Sequence, residues 1–182
     1  MFKDLLEKYE PIIEKTKIRK NIHRTSVSGV KYYWQSKNGP IAVGNPIESQ
    51  NFGLIRNVFK DRHNLVEAVQ NTNHPELYEA LKEIAFIINP NFEYNSITLN
   101  KNVKALKHRD TNNQSISMII GLGDYSGGGL YLENLETGEM DLIDIHYKPL
   151  LMNGYRQLHE TEEFTGNRYT IIYYKAGIRP LK

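Results

Sequence analysis

The chain has 182 residues, of which 40% are hydrophobic and 24% charged, and its formal net charge is +2. This length suits one domain with a sizeable core, and the composition is that of an ordinary globular protein. The chain has no cysteine, which excludes disulfides, thiolate metal sites and cysteine nucleophiles. It also lacks an apolar run of the roughly 18 residues that a membrane helix needs, and a signal-peptide core. We therefore expect an intracellular protein that is not secreted and has no membrane partner.

The N-terminal region, residues 1–91, predicts helices with a few supporting strands. Apolar residues at helical spacing predict a helix over 2–13, with a kink at Pro11. The stretch VKYYWQSKNGPIAVG, with the turn signal NGP at its centre, predicts a pair of strands. This region supplies helices and edge strands for a core that lies later in the chain.

Two further helices are expected between residues 61 and 88. Asp61 is predicted to cap the first, which would carry Leu65, Ala68 and Val69. The second is expected to begin at Asn73, with Glu76 three residues later and Pro75 in the first turn. Its apolar residues recur on one face as far as residue 88, so we expect this helix to pack on a sheet.

From residue 92 onward the pattern changes to short strands. FEYNSITLN, SISMIIGLG, GGLYLEN, EMDLIDI, KPLLMN and RYTIIYY are β-branched or aromatic and are separated by turn residues. Such a series is typical of a β-sandwich or barrel. Because the helices precede the strands, a doubly wound parallel sheet is disfavoured. We predict a mainly β protein with flanking helices, of the α+β class.

The stretch HRD offers two residues of a metal site. Residues two apart on an extended chain face the same side, so His108 and Asp110 direct an imidazole and a carboxylate toward one point. Two histidines and one carboxylate form the facial triad of non-haem Fe(II) oxygenases. The third ligand must come from elsewhere, and the candidates are His146 and His159. We favour His159, because a turn and a strong strand that opens with Arg168 follow it.

Arg168 shares one face of the last predicted strand with Thr170, Ile172 and Tyr174. A buried guanidinium is costly without an anionic partner. If this face lines a barrel, Arg168 is suited to bind a carboxylate through two parallel hydrogen bonds, and Thr170 can donate to the same group. The carboxylate would belong to a small acid that also binds the metal. The alternative is a surface ion pair at the sheet edge.

The ordered set of His108, Asp110, distal His159 and Arg168 resembles the Fe(II)/2-oxoglutarate-dependent dioxygenases over about 94–175. The resemblance implies one dioxygenase domain over 1–182. Its catalytic core at 92–176 would be a double-stranded β-helix, or jelly roll, flanked by the helices of 1–91.

The resemblance also implies the roles of the site residues. His108, Asp110 and His159 would hold Fe(II) and form the catalytic centre. Arg168, with Thr170 as a second contact, would bind the distal carboxylate of the cosubstrate 2-oxoglutarate. The implied reaction consumes O₂, converts 2-oxoglutarate to succinate and CO₂, and hydroxylates a C–H bond of the substrate.

A narrower resemblance is to the TET/JBP-type oxygenases, which hydroxylate 5-methylcytosine or thymine in DNA. It is carried by HRDTNN and by the glycine-rich stretch GDYSGGGLYLEN. It implies that Asn113, three residues past Asp110, contacts the target base, and that Tyr174, six past Arg168, lies against it. DNA would then be the partner and 5-methylcytosine, or thymine, the target. The chain departs from animal TET proteins in lacking their cysteine-rich zinc module.

Binding to DNA also needs cations, because the net charge is small. Two groups of basic residues are candidates for phosphate contacts, and their alternative role is simple surface solubility. One group flanks the metal motif and the other lies within 15–24: Lys101, Lys104, Lys107 and Arg109; Lys15, Lys17, Arg19, Lys20 and Arg24.

Three alternatives remain open from the sequence. The same chemistry can act on a protein side chain, a free amino acid or a small metabolite. The chain can instead be a cupin-like module that binds a ligand without turnover, with Arg168 holding an acid and the histidines structural. A zinc hydrolase built on the same ligands is the most distant, because no general base is evident. Asn113 itself can be simply a turn residue.

Overall fold

The computed structural model describes residues 2–18, 20–21, 27, 31–35, 39–43, 47–57, 60–61, 63–110, 113 and 115–177. Its helices are α1 (Phe2–Leu6), a 3-10 helix (Glu7–Tyr9), α2 (Glu10–Lys15), α3 (Gln70–Asn73) and α4 (Pro75–Ile88). Its strands are β1 (Lys20–Asn21), β2 (Lys31–Gln35), β3 (Gly39–Val43), β4 (Ile47–Arg56), β5 (Leu65–Glu67), β6 (Ser96–Lys101), β7 (Ser117–Leu122), β8 (Tyr125–Gly127), β9 (Leu130–Glu133), β10 (Met140–Ile143), β11 (Leu150–Met152), β12 (His159–Thr161), β13 (Phe164–Gly166) and β14 (Tyr169–Tyr174).

Two antiparallel sheets form the core. The larger sheet has the order β1-β4-β6-β14-β7-β11, with β5 paired to β4, and the smaller has the order β10-β9-β12. Apolar residues of both sheets pack between them, among them Ile119 of β7 and Leu130 and Leu132 of β9. Along the main path of the larger sheet, strands that are neighbours in space are distant in sequence, as in a jelly roll. The predicted class, mainly β with flanking helices and a jelly-roll core, is confirmed.

The helices cover the outer face of the larger sheet. Leu81 and Ile84 of α4 and Ile13 of α2 belong to one buried cluster with Leu99 of β6 and Ile171 of β14. The larger sheet thus has an apolar outer face under the helices, which leaves its inner face to line the space between the sheets. Burying one side chain of this size contributes about 1.5–3 kcal/mol, so the helices hold the sheet in place largely through such contacts.

The prediction of a helix that begins at Asp61 is wrong. Leu65 opens β5, which pairs with β4, and only the short helix α3 follows. Asp61 accepts hydrogen bonds from the backbone N–H groups of His63 and Asn64, at 2.8 and 3.1 Å. It therefore caps a turn, which is the local alternative that aspartate offers to helix initiation. The side-chain amide of Asn64, which donates to Asp61 Oδ2 at 3.0 Å, and these backbone bonds together hold the pKa of Asp61 below its usual range.

The other helices are present with shifted ends. The N-terminal helix is interrupted by the 3-10 turn before Pro11, and Pro11 lies in the first turn of α2. A proline is tolerated there because that N–H has no partner inside the helix. Asn73 ends α3 instead of capping α4, whose N-cap is His74. The paired strands predicted around NGP are β2 and β3.

Two predictions about the whole chain have different outcomes. None of the described helices is both long and apolar enough to cross a membrane. The extent of the domain, residues 1–182 with its core at 92–176, stays a prediction. The pairing of β4 with β6 and of β1 with β4 nevertheless places N-terminal segments in the larger sheet.

Candidate active site

Main-chain hydrogen bonds bring the three predicted metal ligands together. His108 and His159 lie opposite each other, and each donates its backbone N–H to the carbonyl oxygen of the other at 3.0 Å. The backbone N–H of Asp110 donates to the carbonyl oxygen of Gly154 at 2.8 Å. The segment that carries HRD therefore runs beside β12 as an added edge of the smaller sheet.

The ligand atoms converge on one point. The Nε2 atoms of His108 and His159 lie 3.7 and 4.0 Å from Asp110 Oδ1, and one donor atom from each residue lies within 4.8 Å of the others. Two atoms that each lie about 2.1 Å from one ion can be at most about 4.2 Å apart, so both measured distances permit a shared ion. Among the described residues this is the only such group of acids and histidines.

The two imidazoles have the tautomer that metal binding requires. Nδ1 of His108 lies 2.6 Å from the carbonyl oxygen of Leu106, and Nδ1 of His159 lies 3.0 Å from that of Gln157. A carbonyl oxygen only accepts, so each Nδ1 carries the proton and each Nε2 keeps its lone pair toward Asp110. Such outer contacts fix the ring orientation of histidine ligands.

Asn113 and Gly154 position the carboxylate of Asp110. The side-chain Nδ2 of Asn113 donates to Asp110 Oδ2 at 3.2 Å and to Ser117 Oγ at 2.6 Å. Because a carboxylate only accepts, this contact fixes which end of the Asn113 amide is the nitrogen. A Cβ at Gly154 would overlap Asp110 Oδ2. The Asn113 amide thus holds the Asp110 carboxylate on one side, and the lack of a side chain at Gly154 leaves room for it on the other.

Gly154→Ala is expected to weaken metal binding without unfolding the chain. The added methyl group must displace the Asp110 carboxylate, and disturbing the support of a metal ligand typically reduces metal affinity by about 10- to 100-fold. Equilibrium dialysis with metal analysis measures the change. Gly138→Ala is the control for loss of a glycine away from the site: nothing lies within 4 Å of its Cβ position, and the backbone strain at its φ of +75 should lower the thermal midpoint and leave Fe(II) affinity unchanged. Equal Fe(II) affinity in Gly154→Ala and the parent would contradict this role of Gly154.

Arg168 is buried close to the same site without a counter-charge. It is 2% exposed, and it forms no ion pair with any acid in the described ranges. Its Nε donates to the carbonyl oxygen of Gly128 at 2.9 Å. The guanidinium carbon lies 5.6 Å from the ring centre of Tyr125 and 5.4 Å from that of Phe164. Burial lowers the pKa of Arg168, so an anion that enters the cavity would relieve a real electrostatic cost.

One cavity of about 290 Å³ connects the triad to Arg168. Its lining includes Arg168, which directly precedes β14, the β14 residues Thr170, Ile172 and Tyr174, and Asn113. The volume lies at the lower end of the range of small-molecule sites. The seven residues singled out from the sequence thus line a single space: His108, Asp110, Asn113, His159, Arg168, Thr170 and Tyr174.

Comparison with solved structures identifies this architecture. NgTET1 in complex with 5mC DNA superposes with a TM-score of 0.56 at 14% sequence identity, over 96% of this chain and 67% of that chain. An oxidoreductase of the 2OG-Fe(II) oxygenase family from Burkholderia pseudomallei superposes with a TM-score of 0.50 at 13% identity, over 95% of this chain and 81% of that chain. The chain has the fold of the 2OG-Fe(II) oxygenases. No protein-family model and no curated protein sequence matches it.

His146, the alternative third ligand, lies elsewhere in the 2OG-Fe(II) oxygenase fold. Its Nε2 donates to the carbonyl oxygen of Gly123 at 2.8 Å, and its ring lies 4.1 Å from that of Tyr125 and 4.6 Å from that of Tyr147. His146 is not part of the group whose ligand atoms can reach one ion, namely His108, Asp110 and His159. Its contacts give it a structural role between two aromatic rings.

The basic residues that flank the metal motif all have protein partners. Lys101 donates to the carbonyl oxygens of Ile13, Glu14 and Thr16, and so caps the C-terminal end of α2. The other three form ion pairs with acids on neighbouring segments: Lys104 with Glu163, Lys107 with Glu160, and Arg109 with Glu133. These pairs are partly exposed, so they are weak and exchangeable. Of the strip at 15–24, Arg19 and Arg24 lie outside the described residues, and Lys15 is 3.6 Å from Glu76.

Sequence reasoning missed several residues that shape this site. Gly154 stands in an Asn-Gly turn, and its closeness to Asp110 leaves no trace in the local pattern. Gly128 has φ +71, and a Cβ there would lie 2.8 Å from Cδ and Nε of Arg168. The glycine-rich stretch GDYSGGGLYLEN was the available signal, because it supplies both Gly128 and Tyr125 to the surroundings of Arg168.

Proposed function

We propose that the protein is an Fe(II)/2-oxoglutarate-dependent dioxygenase that hydroxylates the methyl group of 5-methylcytosine in DNA. The observation that carries this proposal is the presence, in one cavity, of a His-His-Asp cluster and a buried arginine without a counter-charge. Neither feature is needed to fold a jelly roll, and together they match what a metal and a dicarboxylic acid require. The fold of the 2OG-Fe(II) oxygenases supports the same reaction class.

The donor set fits Fe(II). Two neutral imidazole nitrogens and one carboxylate oxygen, supplied by His108, His159 and Asp110, suit a divalent iron and leave the remaining coordination positions to other molecules. When bound, Fe(II) with 2-oxoglutarate and O₂ supplies the oxidising power for C–H hydroxylation, with release of succinate and CO₂. The role of the protein is to hold the ligands, orient the acid and exclude competing reactions.

The surroundings of Arg168 fit the distal carboxylate of 2-oxoglutarate. A guanidinium binds a carboxylate through parallel N–H donors, and burial strengthens that bond. Thr170 Oγ1 accepts a hydrogen bond from Nδ2 of Asn100 at 3.3 Å, so its own hydroxyl hydrogen is available to the acid. Arg168 and Thr170 thus anchor one end of the acid while the metal cluster receives the other.

Asn113 supports a cytosine-type base over thymine. Both hydrogens of its Nδ2 are taken by Asp110 and Ser117, and its buried Oδ1 has no hydrogen-bond partner among the described residues. Asn113 can therefore only accept from a substrate. The 4-amino group of 5-methylcytosine, next to the 5-methyl group, is a donor, whereas thymine has an oxygen there. Tyr174, on the cavity wall, offers a ring on which a flipped base can stack.

A further observation favours a DNA substrate. NgTET1, the structural match described above, was solved in complex with 5mC DNA. The base must leave the duplex to reach the cavity, at a cost of a few kcal/mol, and stacking on an aromatic ring contributes about 1–3 kcal/mol in return. DNA is therefore the partner that we propose for this chain.

Incubation with methylated duplex DNA, Fe(II), ascorbate and 2-oxoglutarate tests the proposal. We expect mass spectrometry of the nucleosides to show a +16 product of 5-methylcytosine and none of thymine, because only 5-methylcytosine carries a donor at position 4, beside the methyl group. Asp110→Ala is the inactive control. Succinate release that is stimulated by peptides or amino acids, and by no nucleic acid, would refute the DNA substrate but leave the reaction class. A protein that binds 2-oxoglutarate but never forms succinate would be the cupin-like module.

A further inference from the structure

Tyr125 carries a polar group that folding alone does not explain. The residue lies on β8 and is 7% exposed, and its hydroxyl has no hydrogen-bond partner among the residues that the structure describes. Native proteins leave few buried hydroxyl groups unpaired, because water lost from the group must be replaced by another partner. Tyr125 packs against Arg168, which lines the cavity, so its unpaired hydroxyl points to a ligand that enters there.

The Tyr125 hydroxyl stands on the inner face of the larger sheet. On β7, Ile120 packs in the cluster beneath the helices. Because successive residues of a strand face opposite sides, Gly121 faces the space between the sheets. A Cβ at Gly121 would overlap the Tyr125 hydroxyl, which thus fills the place of a side chain there. Gly121 pairs directly with Thr170, and side chains opposite each other in antiparallel strands lie about 5 Å apart.

The same hydroxyl lies close to Arg168. The two groups influence each other's pKa, although their geometry is not that of a hydrogen bond. Burial raises the pKa of Tyr125 to about 12, and the charge of Arg168 only partly opposes this shift. The phenol therefore keeps its proton at neutral pH. The Tyr125 hydroxyl thus adds an O–H donor close to Arg168 and, across Gly121, to Thr170.

We propose that Tyr125 is a third donor, with Arg168 and Thr170, to the carboxylate of the acid that binds in this cavity. The proposal rests on the proposed function, in which that acid is 2-oxoglutarate. A carboxylate has two oxygens with about four lone-pair sites, and a guanidinium fork occupies two of them. The hydroxyl groups of Tyr125 and Thr170 supply donors for the remaining lone-pair sites of the carboxylate. Tyr125 is then a determinant of selectivity for a dicarboxylic acid.

Tyr125→Phe separates this role from a structural one. Calorimetry under anaerobic conditions, with the Fe(II)-loaded protein, should show about tenfold weaker binding of 2-oxoglutarate, because a hydrogen bond to a charged group is lost. The thermal midpoint of the ligand-free variant should be equal to or above that of the parent, since the deleted hydroxyl had no partner. A residue that serves only the fold would give the opposite pattern.

Tyr173→Phe is the matched control. Its hydroxyl is also buried, but it donates to the carbonyl oxygen of Leu81 at 2.7 Å, on the helix side of the sheet. This variant should lose thermal stability and keep the parent's affinity for 2-oxoglutarate. Pyruvate, a 2-oxo acid without the distal carboxylate, is the control ligand, and it should bind to the parent and to Tyr125→Phe equally.

The outcomes separate the two proposals. Equal binding of 2-oxoglutarate by the parent and Tyr125→Phe would overturn the role of Tyr125 and leave the proposed function intact. An equal loss of affinity for pyruvate and 2-oxoglutarate would also overturn it, because the effect would then lie at the metal end of the acid. A parent protein that binds no 2-oxoglutarate would overturn both proposals.

Discussion

Replacing His159 by alanine is expected to lower the affinity for Fe(II) by about 100- to 1,000-fold and to abolish hydroxylation. Structural metal sites with four ligands contribute about 10–16 kcal/mol, which is about 2.5–4 kcal/mol for each ligand. His159 offers its Nε2 to the cluster, and its Nδ1 hydrogen bond to Gln157 already fixes the ring. The variant therefore loses one complete ligand. Anaerobic equilibrium dialysis followed by metal analysis measures the loss.

His146→Ala is the control that the chain itself offers. Before the fold is known, His146 and His159 are competing candidates, each followed by an arginine. His146 donates to Gly123 and stacks on Tyr125, so its loss should lower the thermal midpoint and leave Fe(II) affinity unchanged. If the two variants bound Fe(II) equally well, the assignment of the third ligand to His159 would fail.

Arg168→Met is expected to lower the affinity for 2-oxoglutarate by about 100- to 1,000-fold. Removing one partner of a buried charged pair costs about 2–5 kcal/mol, and each 1.4 kcal/mol is a factor of ten in affinity. The ligand-free variant should be as stable as the parent or more so, because methionine removes a desolvated charge that has no described acidic partner. Calorimetry and thermal unfolding measure the two effects separately.

Arg168→Lys refines the result. Lysine keeps the charge but lacks the planar fork that gives two parallel hydrogen bonds, so we expect an intermediate loss of affinity for 2-oxoglutarate. A strong loss of stability in Arg168→Met, with unchanged affinity for the acid, would show that Arg168 serves the sheet edge. Arg168 would then support the fold through contacts such as its hydrogen bond to the carbonyl oxygen of Gly128.

The strands were predictable because their signal is local. Each of the six predicted segments after residue 92 contains an observed strand, since alternating or continuous β-branched runs between turns depend on nearby residues only. The helix at Asp61 failed for the opposite reason. The segment that begins at Leu65 is short and apolar, so its sequence is compatible with a helix or a strand. Its pairing with β4 makes it a strand. That pairing is a long-range contact, which the local pattern does not contain.

The site divides in the same way. His108 and Asp110 are close in sequence, and the order in which His159 and Arg168 follow them is itself a pattern, so the cluster of these side chains could be predicted. The residues that support these side chains could not be predicted. Gly154 leaves room for Asp110, and Tyr125 of β8 packs against Arg168 with its hydroxyl over Gly121 of β7. The sequence predicts Lys101 as a candidate phosphate contact, but its side chain caps a helix that begins about 90 residues earlier.

The reciprocal hydrogen bonds between His108 and His159 have a consequence for metal exchange. Together with those from Asp110 to Gly154 and from Thr161 to Ala105, they join the ligand-bearing segments through the main chain. The ligands are therefore held near their positions before an ion arrives, and little chain entropy remains to be lost on loading. We expect a chelator to strip the protein without unfolding it, and fresh Fe(II) to restore it without a refolding step.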